Sequence, residues 1–463
     1  MAAPQPERRS LPFLLVIGLF GIGLGFTINI LDPFLYTEKT RSLAHPALKN
    51  TVLGFITIMS LLVALVVQPL VGRWSDRTRS RWGRRPPFLT AGAVGLSFSL
   101  FLIVVADELW LLVIGAMLAA ASSNTTQGAW QALIPDRVPE AQHGRAAGIK
   151  TLLEVIGAVA GLAVIGTALA RGSIWVGPLV ASILFFVILF ITLSALGPEE
   201  ASRHRQGDVP DDTDERSRTD KPSLASPASP VSTPTGQRPP FNALFLTRRG
   251  LINPAVAALR RIGRGLARLP TTFIWWTLNR ILFWSSAIAL RTFLLNYLED
   301  VHSLSLDDAE VFGSQLLLIL GGGIVLLAIP AGVLADRIGR RPLLVTAGLL
   351  AASGTLLLLF LRDINLLFVA GALIATGAGI FASTSWALAT DLAPGSGGAL
   401  YLGLANSATV IGSISGRLGG PLIDGVNFVS GTATLGYLVV FSIAALFFTM
   451  SSVAVLRISE RRP

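Results

Sequence analysis

The chain has 463 residues, of which 52% are hydrophobic and 14% charged, against about 25% charged in an ordinary soluble protein. Gathered into long unbroken apolar runs, that composition excludes a soluble globular enzyme. The formal charge of +10 would suggest nucleic acid in a soluble chain, but the bases are mostly loop arginines; cysteine is absent, and four scattered histidines make no metal site.

Arg8-Arg9 opens an apolar stretch, Leu11 to Leu31, that is too long for a signal peptide and lacks a small-residue cleavage site, so it reads as a retained first helix. A spanning helix needs about 20 apolar residues. Segments of that length fall at about 11–35, 51–71, 87–106, 109–133, 146–170, 174–197, 272–297, 312–334, 342–361, 365–389, 400–423 and 430–456. That is six, a gap, then six. Bases cluster after helix 2 (Arg73, Arg77, Arg79, Arg81, Arg84, Arg85) and after helix 8 (Arg337, Arg340, Arg341), and are few on the other side (Lys39, Arg41, Lys49, Arg171, Arg362). The positive-inside tendency then places both termini in the cytoplasm of a multi-pass cell-membrane protein.

The gap, 198–271, has two parts. Residues 198–240 are rich in Pro, Ser, Asp and Arg and too polar to bury a core, which predicts disorder. Between Gln237 and Pro270 there are seven arginines and no acid, and Arg260, Arg264 and Arg268 recur opposite Leu259, Ile262, Leu266 and Leu269. A basic amphipathic helix over about 241–269 fits, lying either on anionic lipid or in solvent as a linker.

An internal repeat organises the rest. Helix 2 ends in Gly72-Arg-Trp-Ser-Asp76-Arg77 and runs on to Gly83-Arg84-Arg85-Pro86; helix 8 ends in Gly332-Val-Leu-Ala-Asp336-Arg337 and runs on to Gly339-Arg340-Arg341-Pro342. A second echo pairs Trp130 and Asp136 with Trp386 and Asp391. Two parallel six-helix halves follow. Gly72 is expected to permit close backbone approach, and the arginines to tie each loop to acids within its half.

The doubled loop resembles the major facilitator superfamily. More specifically, Val67-Gln68-Pro69-Leu70-Val71-Gly72, Ser75-Asp76-Arg77, Ser80-Arg81, Gly83-Arg84-Arg85, Pro87-Phe88 and Asn124-Thr125-Thr126-Gln127-Gly128 resemble the sucrose and related sugar transporters of the glycoside–pentoside–hexuronide cation symporter group. The resemblance implies cation-coupled sugar uptake by alternating access. The acid and the arginine that the plant sucrose branch carries in helix 4 are Ala120 and Gln131 here, and helix 2 offers only Thr57 and Ser60 where sodium-coupled members carry acids.

A charge in the membrane costs several kcal/mol unless paired or hydrated, so each one is a functional candidate. Glu154 in helix 5 and Arg280 in helix 7 lie in the cytoplasmic half; Asp32, Arg291 and Arg417 lie in the outer half, and their depth suggests an Asp32–Arg291 interaction. Glu154 reads either as a titrating carboxylate or as half of a structural ion pair. Asn29, Asn124, Gln127, Gln131, Asn279, Ser383, Thr384 and Asn406 are candidate substrate groups. Trp130 and Trp386 read as sugar-stacking rings or as members of an interfacial belt, and Trp275 and Trp276 as belt residues. Gly21, Gly23 and Gly25, and Gly321 to Gly323, read as helix-packing positions. Asp424 reads as an exterior loop residue.

The sequence therefore predicts an all-α membrane protein of twelve transmembrane helices in two parallel repeats, 1–197 and 272–463, joined by a cytoplasmic linker. The expected function is proton-coupled transport of a sugar or glycoside by a monomer in the lipid bilayer. The alternative is proton-driven export of an amphipathic metabolite or drug. Neither an enzyme, a metal, a cofactor beyond the coupling proton, nor a nucleic-acid partner is expected.

Overall fold

A computed structural model describes residues 9–78, 80, 82–139, 142–169, 171–196, 270–361, 363–392 and 398–458. Twelve long helices account for most of them, and a short one, Leu133–Arg137, follows the fourth. Helix α1 (Leu11–Leu43) is followed by α2 (Lys49–Arg77), α3 (Pro86–Val105), α4 (Leu109–Gln131), α5 (His143–Leu169) and α6 (Val176–Leu196). The second half holds α7 (Thr271–His302), α8 (Leu306–Ile338), α9 (Arg340–Phe360), α10 (Leu367–Leu392), α11 (Gly398–Arg417, continued by Gly419–Ser430) and α12 (Leu435–Leu456). Each expected spanning segment coincides with one of them. Among the described residues eleven are long and apolar enough to cross a membrane; the other, α11, breaks at Leu418 into pieces of 20 and 12 residues. The expected disordered stretch 198–240 and basic helix 241–269 lie outside the described residues.

These sequences form helices because, in lipid, only a helix satisfies every backbone group within one segment. Where helix geometry fails, a proline is the cause. In α1 the stretch Ile30–Leu35 winds more loosely around Pro33, and Asp32 leaves helical geometry at φ −118°, ψ 118°.

Small residues set which helices touch. A Cβ on Gly25 would lie 2.0 Å from the Glu154 carbonyl oxygen, and one on Gly157 2.1 Å from that of Ile22, so α1 and α5 pack backbone to backbone. The second half repeats this with α7 and α11, where a Cβ added to Gly416 would collide with the Ser285 carbonyl and one on Gly412 would lie 2.7 Å from that of Ile281. The halves meet along α2–α11 and α5–α8, where a Cβ added to Gly54, Gly420 or Gly166 would collide with the Arg417 carbonyl, the Asn50 carbonyl and the Ser314 side chain respectively. Gly72 and Gly332 behave otherwise. Nothing lies within 4 Å of a Cβ at either, so the close approach expected at Gly72 does not occur. The conformational demand falls instead on Gly83 (φ 97°) and Gly339 (φ 93°) of the two Gly-Arg-Arg-Pro turns, which an L side chain rarely adopts.

Candidate functional site

The polar contacts that join the halves cluster at the end of the bundle opposite the repeated loops. Arg41 of α1 donates from Nε to Asn296 Oδ1 (2.9 Å) and pairs with Glu299 (3.2 Å). Lys49 Nζ reaches Glu299 (3.2 Å) and Asp300 (2.8 Å) of α7. Asn50 donates from Nδ2 to Asp424 Oδ1 and to the Tyr437 hydroxyl, both at 2.9 Å, and accepts from Asn296 Nδ2 at 2.9 Å. Asp424 is buried in the second piece of α11, not in the exterior loop expected for it, and its Oδ2 accepts from the Thr51 backbone amide at 2.6 Å. Sequence reasoning missed this cluster, because its members looked like ordinary helix-end polarity.

One step deeper, the outer charges meet. Asp32 Oδ2 pairs with Arg417 Nη2 at 3.1 Å. Arg291 donates from Nη2 to the Asp32 carbonyl (2.6 Å) and to Asn29 Oδ1 (3.0 Å). The expected Asp32–Arg291 contact thus exists, but through the main chain that the irregular turn at Asp32 exposes. The carboxylate belongs to Arg417.

Toward the loop end lie Glu154 and Arg280. Glu154 is half-buried on α5, held against Gly21 and Gly25 of α1, with no base within ion-pair distance among the described residues; Lys150 is one turn away on the same helix. Arg280 is 7% exposed. Its Nε donates to Thr409 Oγ1 (2.8 Å) and its Nη1 to Ser385 Oγ (3.2 Å), and its guanidinium lies over the rings of Trp276 (5.6 Å) and Trp386 (5.2 Å).

The neutral candidates separate by environment. Asn279 is fully buried and donates to the Ser451 carbonyl (3.0 Å) and hydroxyl (2.7 Å), so it ties α7 to α12 and is enclosed rather than lining a path. Trp130 is 1% exposed, donates to the Ile17 carbonyl (2.7 Å) and lies under Lys150 (4.6 Å), which leaves it no free face. Trp276, expected in a belt, is buried and donates to the Ser385 carbonyl at 3.1 Å. Thr384 is buried as well. Asn124 and Ser383 bond back to their own helices, and Gln127 is half-buried. Gln131, Asn406 and Trp386 are exposed. Of the two echoed tryptophans, only Trp386 can offer a ring face.

The repeated loops bind their own halves. Arg85 donates from Nε to Asp136 Oδ2 (2.8 Å), pairs with Asp76 (2.8 Å) and also donates to Ser75; Arg84 reaches Asp136 at 3.6 Å. Burial works against the Arg85 charge, but the hydrogen bonds and charges of Asp136 and Asp76 outweigh it and hold the guanidinium above its ordinary value. In the second half Arg340 pairs with Asp391 and donates to the Ala387 carbonyl, while Arg341 donates to the Leu456 carbonyl of α12. Arg77 and Arg337 are exposed, and the Asp336 side chain lies outside the described residues.

Two similar helical bundles, polar at their mutual interface and holding charges within the membrane, define a transporter and not an enzyme. The model of the Major Facilitator Superfamily matches residues 13–326 and 281–463, and the chain belongs to that superfamily. It is 27% identical over 136 residues to Sucrose transport protein SUT4 of Oryza sativa subsp. indica, which covers 25% of this chain and 22% of that protein. It is 29% identical over 254 residues to Proton-associated sugar transporter A of Homo sapiens, covering 50% and 32%. The matched segments thus span less than a third of these relatives. Its fold is similar to that of a D-xylose-proton symporter, with a TM-score of 0.63 and 14% identity over 96% of this chain and 97% of that one.

Proposed function

We propose that this transporter carries a sugar or glycoside together with protons by alternating access, in the cell membrane with both termini cytoplasmic. The observation that carries the transport cycle is the interface between the halves. At the far end it is closed by hydrogen bonds and ion pairs from Arg41, Lys49 and Asn50 of one half to Asn296, Glu299, Asp300 and Asp424 of the other, polar contacts that water can replace when the halves part. The names of the curated relatives and the helix 2–3 motif favour a sugar. The base-rich loops favour the cytoplasmic assignment.

Glu154 is the coupling carboxylate in this reading. Among the described residues no base lies within ion-pair distance of it, which favours a titrating role over a structural ion pair. Carrying a proton with the substrate removes the cost of moving a charge through the cycle.

Counterflow into proteoliposomes, with a panel of sugars set against organic cations, tests the substrate class. Accumulation driven by an imposed proton gradient tests the coupling. Glu154→Gln is expected to abolish uphill accumulation while retaining exchange; undiminished uphill uptake by that variant would sink the coupling assignment, and exchange of organic cations without sugars would sink the substrate class.

A further inference from the structure

Three arginines inside the spanning helices, Arg280, Arg291 and Arg417, are unequally partnered. Arg417 is taken by Asp32. Arg291 at least has the open carbonyl of the broken α1 and an amide oxygen. Arg280 has two hydroxyls and two indole rings, and no carbonyl oxygen or carboxylate within reach among the described residues.

Magnitudes show how incomplete that is. Each cation–π contact is worth about 0.5–2 kcal/mol, and a neutral hydrogen bond about 1, whereas a buried unpaired charge costs several kcal/mol or more. The surroundings nevertheless fix the group in place. Ser385 holds both it and, through its carbonyl, the Trp276 indole, so the planar fork is oriented while its Nη2 makes no hydrogen bond among the described residues. Beside it Trp386 is 39% exposed, an apolar ring next to an unpaired cation.

We propose that Arg280 is the anchor for an oxyanion on the substrate, so that this transporter takes sugars or glycosides bearing a carboxylate or phosphate in preference to neutral ones. This rests on the sugar reading above and narrows it. Arginine suits the task because its fork meets carboxylate and phosphate oxygens in two parallel bonds. Trp386 supplies the surface on which the less polar face of the ring lies.

The test uses the purified full-length protein. In proteoliposome exchange, glucuronate or glucose 6-phosphate is expected to move at least about tenfold better than glucose, the discrimination of one good charged contact; which of the two is preferred separates carboxylate from phosphate. Arg280→Lys should keep the preference with a several-fold higher half-saturation, and Arg280→Met should erase it. Thermal stabilisation of the unaltered protein by the same compounds reads binding without any variant. Equal handling of glucose and both anions, or a preference that survives in Arg280→Met, overturns the proposal. So does stabilisation by no anion beyond its neutral counterpart. Benzoate exchanged in preference to benzamide through Arg280, with no sugar of either kind moving, would instead refute the sugar reading and leave the anion anchor standing.

Discussion

Asp32 of α1 and Arg417 of α11 form an ion pair across the two halves, with side chains only 15% and 11% exposed. Removing one partner leaves a buried charge uncompensated, at a cost of about 3–5 kcal/mol. Asp32→Asn and Arg417→Met are therefore each expected to lower the melting temperature of the detergent-solubilised protein clearly. The double variant should lie closer to wild type than the sum of the two. Additive losses would mean that the pair does not act as a unit.

Much of this architecture was legible because it is written along the chain. Apolar length alone placed the twelve helices, and the doubled Gly-Arg-Arg-Pro turn revealed the two halves. The site was only half legible. Glu154, Arg280 and the Asp32–Arg291–Arg417 group stood out because charge in lipid is rare. The Asn50–Asn296–Asp424–Tyr437 cluster did not, since its members come from four helices and each is an ordinary residue at a helix end. Trp130 and Trp386 look alike in sequence. What separates them is a neighbouring helix, which buries one ring and leaves the other open.

The two repeated glycine pairs make opposite demands, and substitution should expose the difference. Gly83 and Gly339 hold φ of 97° and 93°, where a side chain costs about 1–2 kcal/mol. Gly72 and Gly332 are helical with open space around them, so alanine there removes backbone freedom from the unfolded chain without a clash. Gly83→Ala and Gly339→Ala are expected to lower thermal stability, and Gly72→Ala and Gly332→Ala to leave it unchanged or raise it. The reverse ranking would contradict the turn geometry.

Arg85 holds two acids of unequal value. Asp76 is 60% exposed at its side chain and Asp136 only 21%, so solvent screens the first pair much more than the second. Asp136→Asn should therefore cost more stability than Asp76→Asn, which is expected within about 1 kcal/mol of wild type. Exchanging the partners, with Arg85→Asp and Asp136→Arg together, should recover part of the loss caused by either change alone. Recovery in melting temperature is the readout. Its absence would mean that Asp76 and Ser75 fix the guanidinium orientation more strongly than Asp136 does.

Asp424 reaches across from α11 to the first turn of α2, where its two oxygens accept from the Thr51 amide and from Asn50 Nδ2. A helix N-terminus carries unsatisfied amides and a partial positive charge, so a carboxylate from the other half is a capping group supplied between domains. Asp424→Asn removes the charge and Asp424→Ala both acceptors, weakening far-end closure by about 1–3 kcal/mol. The chain contains no cysteine, so one introduced in place of Asn29 is a unique reporter behind the closed end. In Asp424→Ala that cysteine is expected to react several-fold faster with a membrane-impermeant maleimide added from the outside, and in Asp424→Asn by an intermediate factor. Unchanged labelling in both variants would show that the remaining contacts of Lys49, Arg41 and Tyr437 hold the far end closed without this cap.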